Sequence, residues 1–421
     1  MITPSFSPTS TERVLPKLAL DFTTGLLDNR VTFTRTTDAT HPATYTNNSG
    51  YVTSATNNQA RFDYNPVALT CKGLLIEESR SNICLQSEDF STTWLANNAT
   101  VVTNQATSPA NTLTGDLVYP TSTGSFRWVY QSIAQTNGTV YTQSIYAKAA
   151  GMSWLLLSLP TADGYGLAYF DVTNGVVGAV RGGATATISN AGNGWWRCTV
   201  SYTAGASYSY MLAGPVDGNG NTTATTSGTN GVYLWGAQLE AGAFATSYIP
   251  TTSAALTRNA DVAVMTGTNF SDWFNASEGT FECTFDKIGV TSGISHALWA
   301  IGNGSNTNNT IFLYVAYNGA YRTRLLGYNA TTLDVDVYPT TTYLANTFVN
   351  TCFTYKANSY AGAVNAGAVT KDTAGNVPSV VNMVLGANAA SAGSYLNGHI
   401  EKLNYYQQRL TDAEIQSFSK G

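Results

Sequence analysis

Turn punctuation constrains this chain more than any other feature. Asn-Gly and Asp-Gly steps recur at Thr136-Asn137-Gly138, Ala162-Asp163-Gly164, Thr173-Asn174-Gly175 and Gly218-Asn219-Gly220. Such pairs tolerate positive φ and close tight turns. Between them lie short runs rich in aromatic and aliphatic residues, at 126–130, 141–148, 153–159, 167–172, 195–202 and 207–212. Many short strands with regular turn signals predict an all-β sandwich or jelly roll over residues 85–250.

A second β unit follows over 251–421. Gly279-Thr280-Phe281-Glu282-Cys283-Thr284-Phe285 alternates as a half-buried strand should. Runs at 297–301, 311–317, 322–328, 349–355 and 395–406 continue the series. Thr411 with Glu414 reads as a capping box that opens one short C-terminal helix. Pro250 lacks a ladder donor and biases Ile249 towards an extended conformation, which marks the passage between the two units.

The beginning of the chain is different. Residues 1–17 are rich in Ser, Thr and Pro, and 36–72 are polar with few core candidates. Strand-like runs at 18–22 and 31–35 flank turn signals at Gly25 and Asp28-Asn29. Residues 1–84 are therefore expected to form an attachment region that packs on other chains or on copies of itself; a partly disordered leader is the alternative.

Only 11% of the residues are charged, against roughly a quarter in an average soluble protein. Hydroxyls, amides and rings must then cover much of the surface. Twenty Lys and Arg against 25 Asp and Glu give a net charge of −5 with no basic tract, which argues against nucleic-acid binding. Five scattered cysteines without a CxxC pair are expected to stay reduced, as in a cytoplasm. No signal peptide is expected at the N-terminus, and the most apolar run, 154–159, is too short to span a bilayer.

The constellations that carry chemistry are weak. Asp217-Gly218-Asn219-Gly220-Asn221 opens like an EF-hand loop, but Thr222 and Gly228 stand where Gly and Glu are needed, so a plain turn is expected. His41, His296 and His399 have no zinc-like spacing. Asp334 and Asp336 share a strand face, and Glu282 with Asp286 is a similar pair. Glycoside hydrolysis needs carboxylates about 5–10 Å apart in different environments, and nothing local supplies that difference. With no G-x-S-x-G, no Cys–His pairing and no phosphate loop, the expectation is no enzyme, no metal and no cofactor. Sugar recognition needs flat aromatic faces with amides and hydroxyls beside them. Trp128 and Tyr130 share one strand face, Trp195 and Trp196 point to opposite faces, and Trp299, Tyr314, Tyr317, Tyr321 and Arg322 are placed to line a rim. Trp128, Tyr130, Trp196, Trp299, Tyr317, Tyr321 and Arg322 are the carbohydrate-binding candidates; core or subunit-interface packing is the competing role for each.

Five segments carry a family resemblance: LDFTTGLLDNRVTFTR at 20–35, GLLIEESRSNICLQSEDFSTTW at 73–94, GNGWWRCTV at 192–200, GAQLEAGAFATSYIPTT at 236–252 and TRNADVA at 257–263. Together they resemble tailed-phage virion proteins of the head-spike, head-fibre or tail-fibre kind. The run ending in Tyr141–Ala149 looks like a carbohydrate-binding-module jelly roll, and the segment from Tyr395 to Ile415 resembles the end of a concanavalin-A-like, laminin-G-like lectin sandwich. The resemblance implies a homotrimeric fibre or spike in the virion. It implies attachment through residues 1–84 to capsid, neck or tail proteins, adsorption to host surface glycans, and no membrane insertion. A polysaccharide-depolymerising fibre and a purely architectural capsid decoration protein are the two rival readings.

Overall fold

A computed structural model describes residues 15–161, 164–205, 210–291, 293–304, 308–388 and 394–421. The fold is all-β, built as two sandwiches. They are not arranged in tandem along the chain: one sandwich is inserted into the other.

The host sandwich takes strands from both ends of the sequence. One sheet runs Thr370–Asp372, Tyr360–Val364, Val349–Lys356, Glu278–Phe285, Gly398–Tyr406, Cys71–Ile76 and Phe62–Tyr64, with Leu18–Asp21 also paired to Gly398–Tyr406. The facing sheet runs Thr32–Thr34, Val262–Thr266, Asn382–Leu385, His296–Gly302, Thr310–Tyr317, Tyr321–Asn329 and Thr332–Val337. Alternate residues of both sheets meet in one core, where Phe281 of the first and Trp299 of the second lie 4.3 Å apart by ring centroids. Residues 18–76, part of the 1–84 region expected to attach to other chains, supply strands of this sandwich. Their own apolar faces are too short to bury alone, and Leu18, Leu20, Phe33, Leu74 and Ile76 complete the host core instead. Residues 1–14 of the 1–84 region, for which a partly disordered leader is the alternative, lie outside the described residues.

The inserted sandwich is contiguous in sequence. Its first sheet runs Thr185–Asn190, Trp196–Thr203, Val140–Ala150, Gly231–Ala241, Leu113–Pro120 and Ala99–Thr107. Its second runs Val176–Arg181, Gly164–Asp171, Trp154–Thr161, Tyr210–Val216, Trp128–Ser132 and Leu95–Asn97. The strand expected from residue 207 is described from Tyr210 onward; 207–209, and Ala162 and Asp163 of one predicted turn, lie outside the described residues. Val129, Leu155, Leu157 and Phe170 of the second sheet meet Ile145, Val200 and Leu234 of the first.

A neck joins the two. Arg80–Asn82 leaves the host and Leu256–Arg258 returns beside it, antiparallel, with Asn82 opposite Leu256. Asn82 uses its whole amide here: Nδ2 donates to the Ala237 and Ile249 carbonyls, and Oδ1 accepts from Cys84 and Leu239. Below it lies a fully buried ion cluster. Asp261 accepts from Arg35 at 2.7 Å and from Arg61, and Glu77 faces Arg61 at 2.8 Å and Arg258 at 3.0 Å. Burial alone would raise the Glu77 carboxyl; Arg258 and Arg61 override it and hold it at about 2. Glu77 also accepts from Ser247 N and Oγ, so the cluster ties the 243–252 loop to the host. Four of the five segments that carry the family resemblance contribute to this joint.

Thr411 and Glu414 form the predicted capping box on helix Asp412–Phe418, which buries Ile415 against Cys352, Ala361 and Leu410. A second, one-turn helix spans Thr268–Ser271. All five cysteines are unpaired, four of them buried. No helix among the described residues is long and apolar enough to cross a membrane.

Candidate functional site

The second sheet of the inserted sandwich displays aromatic rings on the face turned away from its core. Val129 points inward, so Trp128 and Tyr130 point outward, as their spacing predicts. Tyr210 lies 6.2 Å from Tyr130 and Phe126 5.0 Å from Trp128, ring to ring. Gly214 allows this arrangement, because a Cβ there would come within 2.8 Å of Trp128 Cβ. Leu95, opposite Tyr130 on the edge strand, extends the apolar shelf.

Phe126 is the notable member. It is 51% exposed and has φ 65°, a left-handed conformation that a bulky residue rarely adopts. Its surroundings fix it there. Phe126 N donates to Thr222 O, Asn97 Nδ2 donates to Phe126 O, and Arg127 binds the Ser122 and Ser125 carbonyls at 2.8 Å each. A strained, exposed ring held by this many bonds is the kind of outlier that marks a contact surface. The sequence places Phe126 in the 126–130 run without naming it as a candidate; the strand begins only at Trp128, and nothing in the alternation shows that the ring before it is held exposed.

The other candidates are dispersed. Trp299 and Tyr321 are 1% and 0% exposed in the host core, out of reach of a sugar, because the strand face they occupy turns inward. Tyr317 packs partly on the same core, 5.1 Å from the Tyr321 ring. Arg322 lies over the Tyr338 ring at 3.7 Å and donates to the Pro339 carbonyl, so its donors serve the fold. Trp196 covers an end of the inserted core against Gly175, while Trp195 is buried and donates to Thr107 O. Trp128 and Tyr130 fall together on an outward face.

The carboxylate pairs are occupied as well. Asp336 forms a bidentate pair with Arg324, and Asp334 accepts from Asn376 N. Glu282 accepts from Tyr406, and Asp286 from His399. Asp217 closes its own turn by accepting from Thr225. Among the described residues no three metal-ligating side chains converge on one point.

A second feature is a cleft of about 1560 Å³ between the sandwiches. Its host wall holds an Asp–His–Asp chain: His399 Nδ1 meets Asp286 at 2.8 Å and Nε2 meets Asp63 at 3.2 Å, while Lys72 also binds Asp63 at 2.7 Å. Burial alone would lower the imidazole pKa; Asp286 and Asp63 raise it to about 9. Burial would likewise raise both carboxyls, yet Lys72 and His399 hold Asp63, and His399 holds Asp286, below the ordinary range. Glu401, beside them, is raised by burial, with Lys402 opposing. The opposite wall is the outer face of the inserted sandwich's first sheet. Its three rungs read Thr185–Ser201–Thr142, Thr187–Thr199–Ser144 and Ser189–Arg197–Tyr146.

Fold and shelf together define a two-sandwich β protein with an outward aromatic face. No family model matches the sequence, and a search of curated proteins finds no match. Among solved structures, the chain is similar to a Ruminococcus gnavus IT-sialidase CBM40 bound to α2,3-sialyllactose, at 16% identity and TM-score 0.29, over 34% of this chain and 83% of that one. It is also similar to the NanB sialidase of Streptococcus pneumoniae, at 13% identity and TM-score 0.28, over 37% of this chain and 26% of that one. A heptameric SAP-like pentraxin from Limulus polyphemus follows at 12% identity and TM-score 0.26, over 34% and 69%. Scores this low leave the functional reading to the site itself.

Proposed function

We propose that this protein is a surface component of a tailed-phage virion, a fibre or spike that adsorbs to host glycans through the Phe126–Trp128–Tyr130–Tyr210 shelf. One observation carries the glycan reading: four rings stand side by side on an outward sheet face, and one is held exposed in a strained conformation. Sugar rings stack on such faces, and modest sites repeated on one particle gain avidity through effective concentration. The virion placement rests on the sequence resemblance described above. Other virion chains are the proposed attachment partners, and a homotrimer is the proposed assembly.

The test is binding of the labelled protein to intact host cells before and after periodate oxidation of surface glycans. Adsorption should fall on oxidation, and should fall at least about tenfold for Phe126→Ala/Trp128→Ala, two stacking contacts of roughly 1 kcal/mol or more each. Unchanged adsorption in the folded double variant sinks the shelf; no adsorption by the folded wild type favours an architectural part.

A depolymerising fibre is a second reading, favoured by one observation. Glu401, raised, and Asp286, lowered, line the same cleft, and carboxyls pushed apart in this way suit an acid and its partner. Release of reducing ends from host polysaccharide, abolished by Glu401→Gln, is its signature.

A further inference from the structure

The inserted wall of the cleft carries a guanidinium without a counter-ion. Arg197 is half-buried, lies 5.4 Å over the Tyr146 ring and donates from Nη2 to Ser144 Oγ at 3.0 Å. Its Nε is buried with no acceptor, and among the described residues it forms no ion pair. The facing carboxylates do not supply one: Asp63 is taken by Lys72 and His399, Asp286 is taken by His399, and none of Asp63, Asp286 and Glu401 lies within ion-pair distance of Arg197.

Hydroxyls surround this cation. On the neighbouring rungs Ser189 stands directly across from Arg197, and Thr187 and Thr199 pair one step further along the same face. They project into the cleft while Ala186, Ile188, Cys198 and Val200 alternate into the core. The first rung is already satisfied, because Thr142 and Ser201 bind each other and the Gly242 and Ala243 carbonyls. On the second and third rungs Ser144 is taken by Arg197, while Thr187, Thr199 and Ser189 keep their hydroxyls free to receive a ligand among the described residues. A planar guanidinium takes a carboxylate through two parallel bonds, and spaced hydroxyls match those of a pyranose.

We propose that this wall binds a carboxylate-bearing saccharide, with Arg197 taking the carboxylate and Ser189, Thr187 and Thr199 meeting the sugar hydroxyls. The site is separate from the aromatic shelf and does not depend on it. The cleft confines a ligand of a few sugar rings, whereas the shelf is open.

The test is calorimetric titration of the full chain with trigalacturonic acid, with cellotriose as the neutral counterpart and acetate as the bare anion. Wild type should bind trigalacturonate and neither of the others comparably. Arg197→Gln should weaken it at least about tenfold, the loss of one charge-assisted pair. Ser189→Glu is exposed and touches no core; it sets a competing carboxylate across from Arg197 and should abolish binding with the melting temperature unchanged. Equal binding by folded Arg197→Gln or Ser189→Glu, no binding by wild type, or equal binding of cellotriose or acetate overturns the proposal. Cell adsorption reads the shelf separately, so either reading fails without the other.

Discussion

Asp261→Ala probes the joint between the sandwiches. Asp261 accepts from Arg35 and Arg61 and from the Glu77 amide, and every one of these side chains is at most 1% exposed. Removing it leaves Arg35, Arg61 and Arg258 facing Glu77 alone within the cluster, with no water to screen them. Breaking one partner of a buried pair costs about 3–5 kcal/mol, mostly as uncompensated charge. An unfolding entropy of about 2.1 cal/mol/K per residue over 421 residues gives about 0.9 kcal/mol/K, so the melting temperature should fall by about 3–6 °C. If the host sandwich melts by itself, fewer residues share that cost and the drop grows. Asp336→Asn is the internal control. It breaks a bidentate pair with Arg324, but both side chains are about a third exposed, so it should cost under about 1 kcal/mol. The assay is scanning calorimetry of both variants at neutral pH. Asp261→Ala melting within a degree of wild type, or no lower than Asp336→Asn, would refute the view that this cluster holds the neck.

Further predictions concern single residues. His399 has a folded pKa of about 9 against an ordinary 6.5, so its stabilisation is complete below pH 6.5 and is lost as pH rises through 9. That window is worth on the order of 3 kcal/mol; a His399→Gln variant whose stability falls over pH 6.5–9 as steeply as wild type counts against it. Gly73→Ala should prevent a native host sandwich, because φ is 103° and a Cβ would strike the Ile400 carbonyl of the strand beside it; a cooperative, wild-type-like melt counters this. Thr411→Ala removes the helix cap and should cost about 1 kcal/mol by urea unfolding, against none if the box is idle.

Local pattern made much of this fold legible. The alternation from Glu278 to Phe285, the inserted strands read at 126–130, 141–148, 153–159, 167–172 and 195–202 and the Thr411–Glu414 box depend on neighbours a few residues apart, whereas the more polar Ala99–Thr107, Leu113–Pro120, Val176–Arg181 and Thr185–Asn190 are not among the predicted runs. The host strands Leu18–Asp21, Thr32–Thr34 and Phe62–Tyr64 were not legible as parts of that sandwich. They are three or four residues long; the partners of the first two, Gly398–Tyr406 and Val262–Thr266, lie hundreds of residues away, and Phe62–Tyr64 pairs with Cys71–Ile76, which reaches the host sheet only through Gly398–Tyr406. Alternation also pairs residues on a face without saying which face is buried. It placed Trp128 with Tyr130 correctly but left Trp299 and Tyr321 open to the outside. Arg197 did leave a signal. Thr185, Thr187 and Ser189, then Thr199 and Ser201, alternate with apolar residues on two strands, a hydroxyl-bearing face with one cation in it.

The interleaved order of the chain also sets a schedule for synthesis. The inserted sandwich has every partner strand within residues 95–241, so it can close while the ribosome is still translating. The apolar strand Cys71–Ile76 emerges earlier, yet its partner Gly398–Tyr406 comes more than 300 residues later. At roughly 5–20 residues per second that is on the order of tens of seconds with an unpaired edge exposed. A nascent chain of this design is therefore most vulnerable to misassociation after its middle has folded and before its end is made.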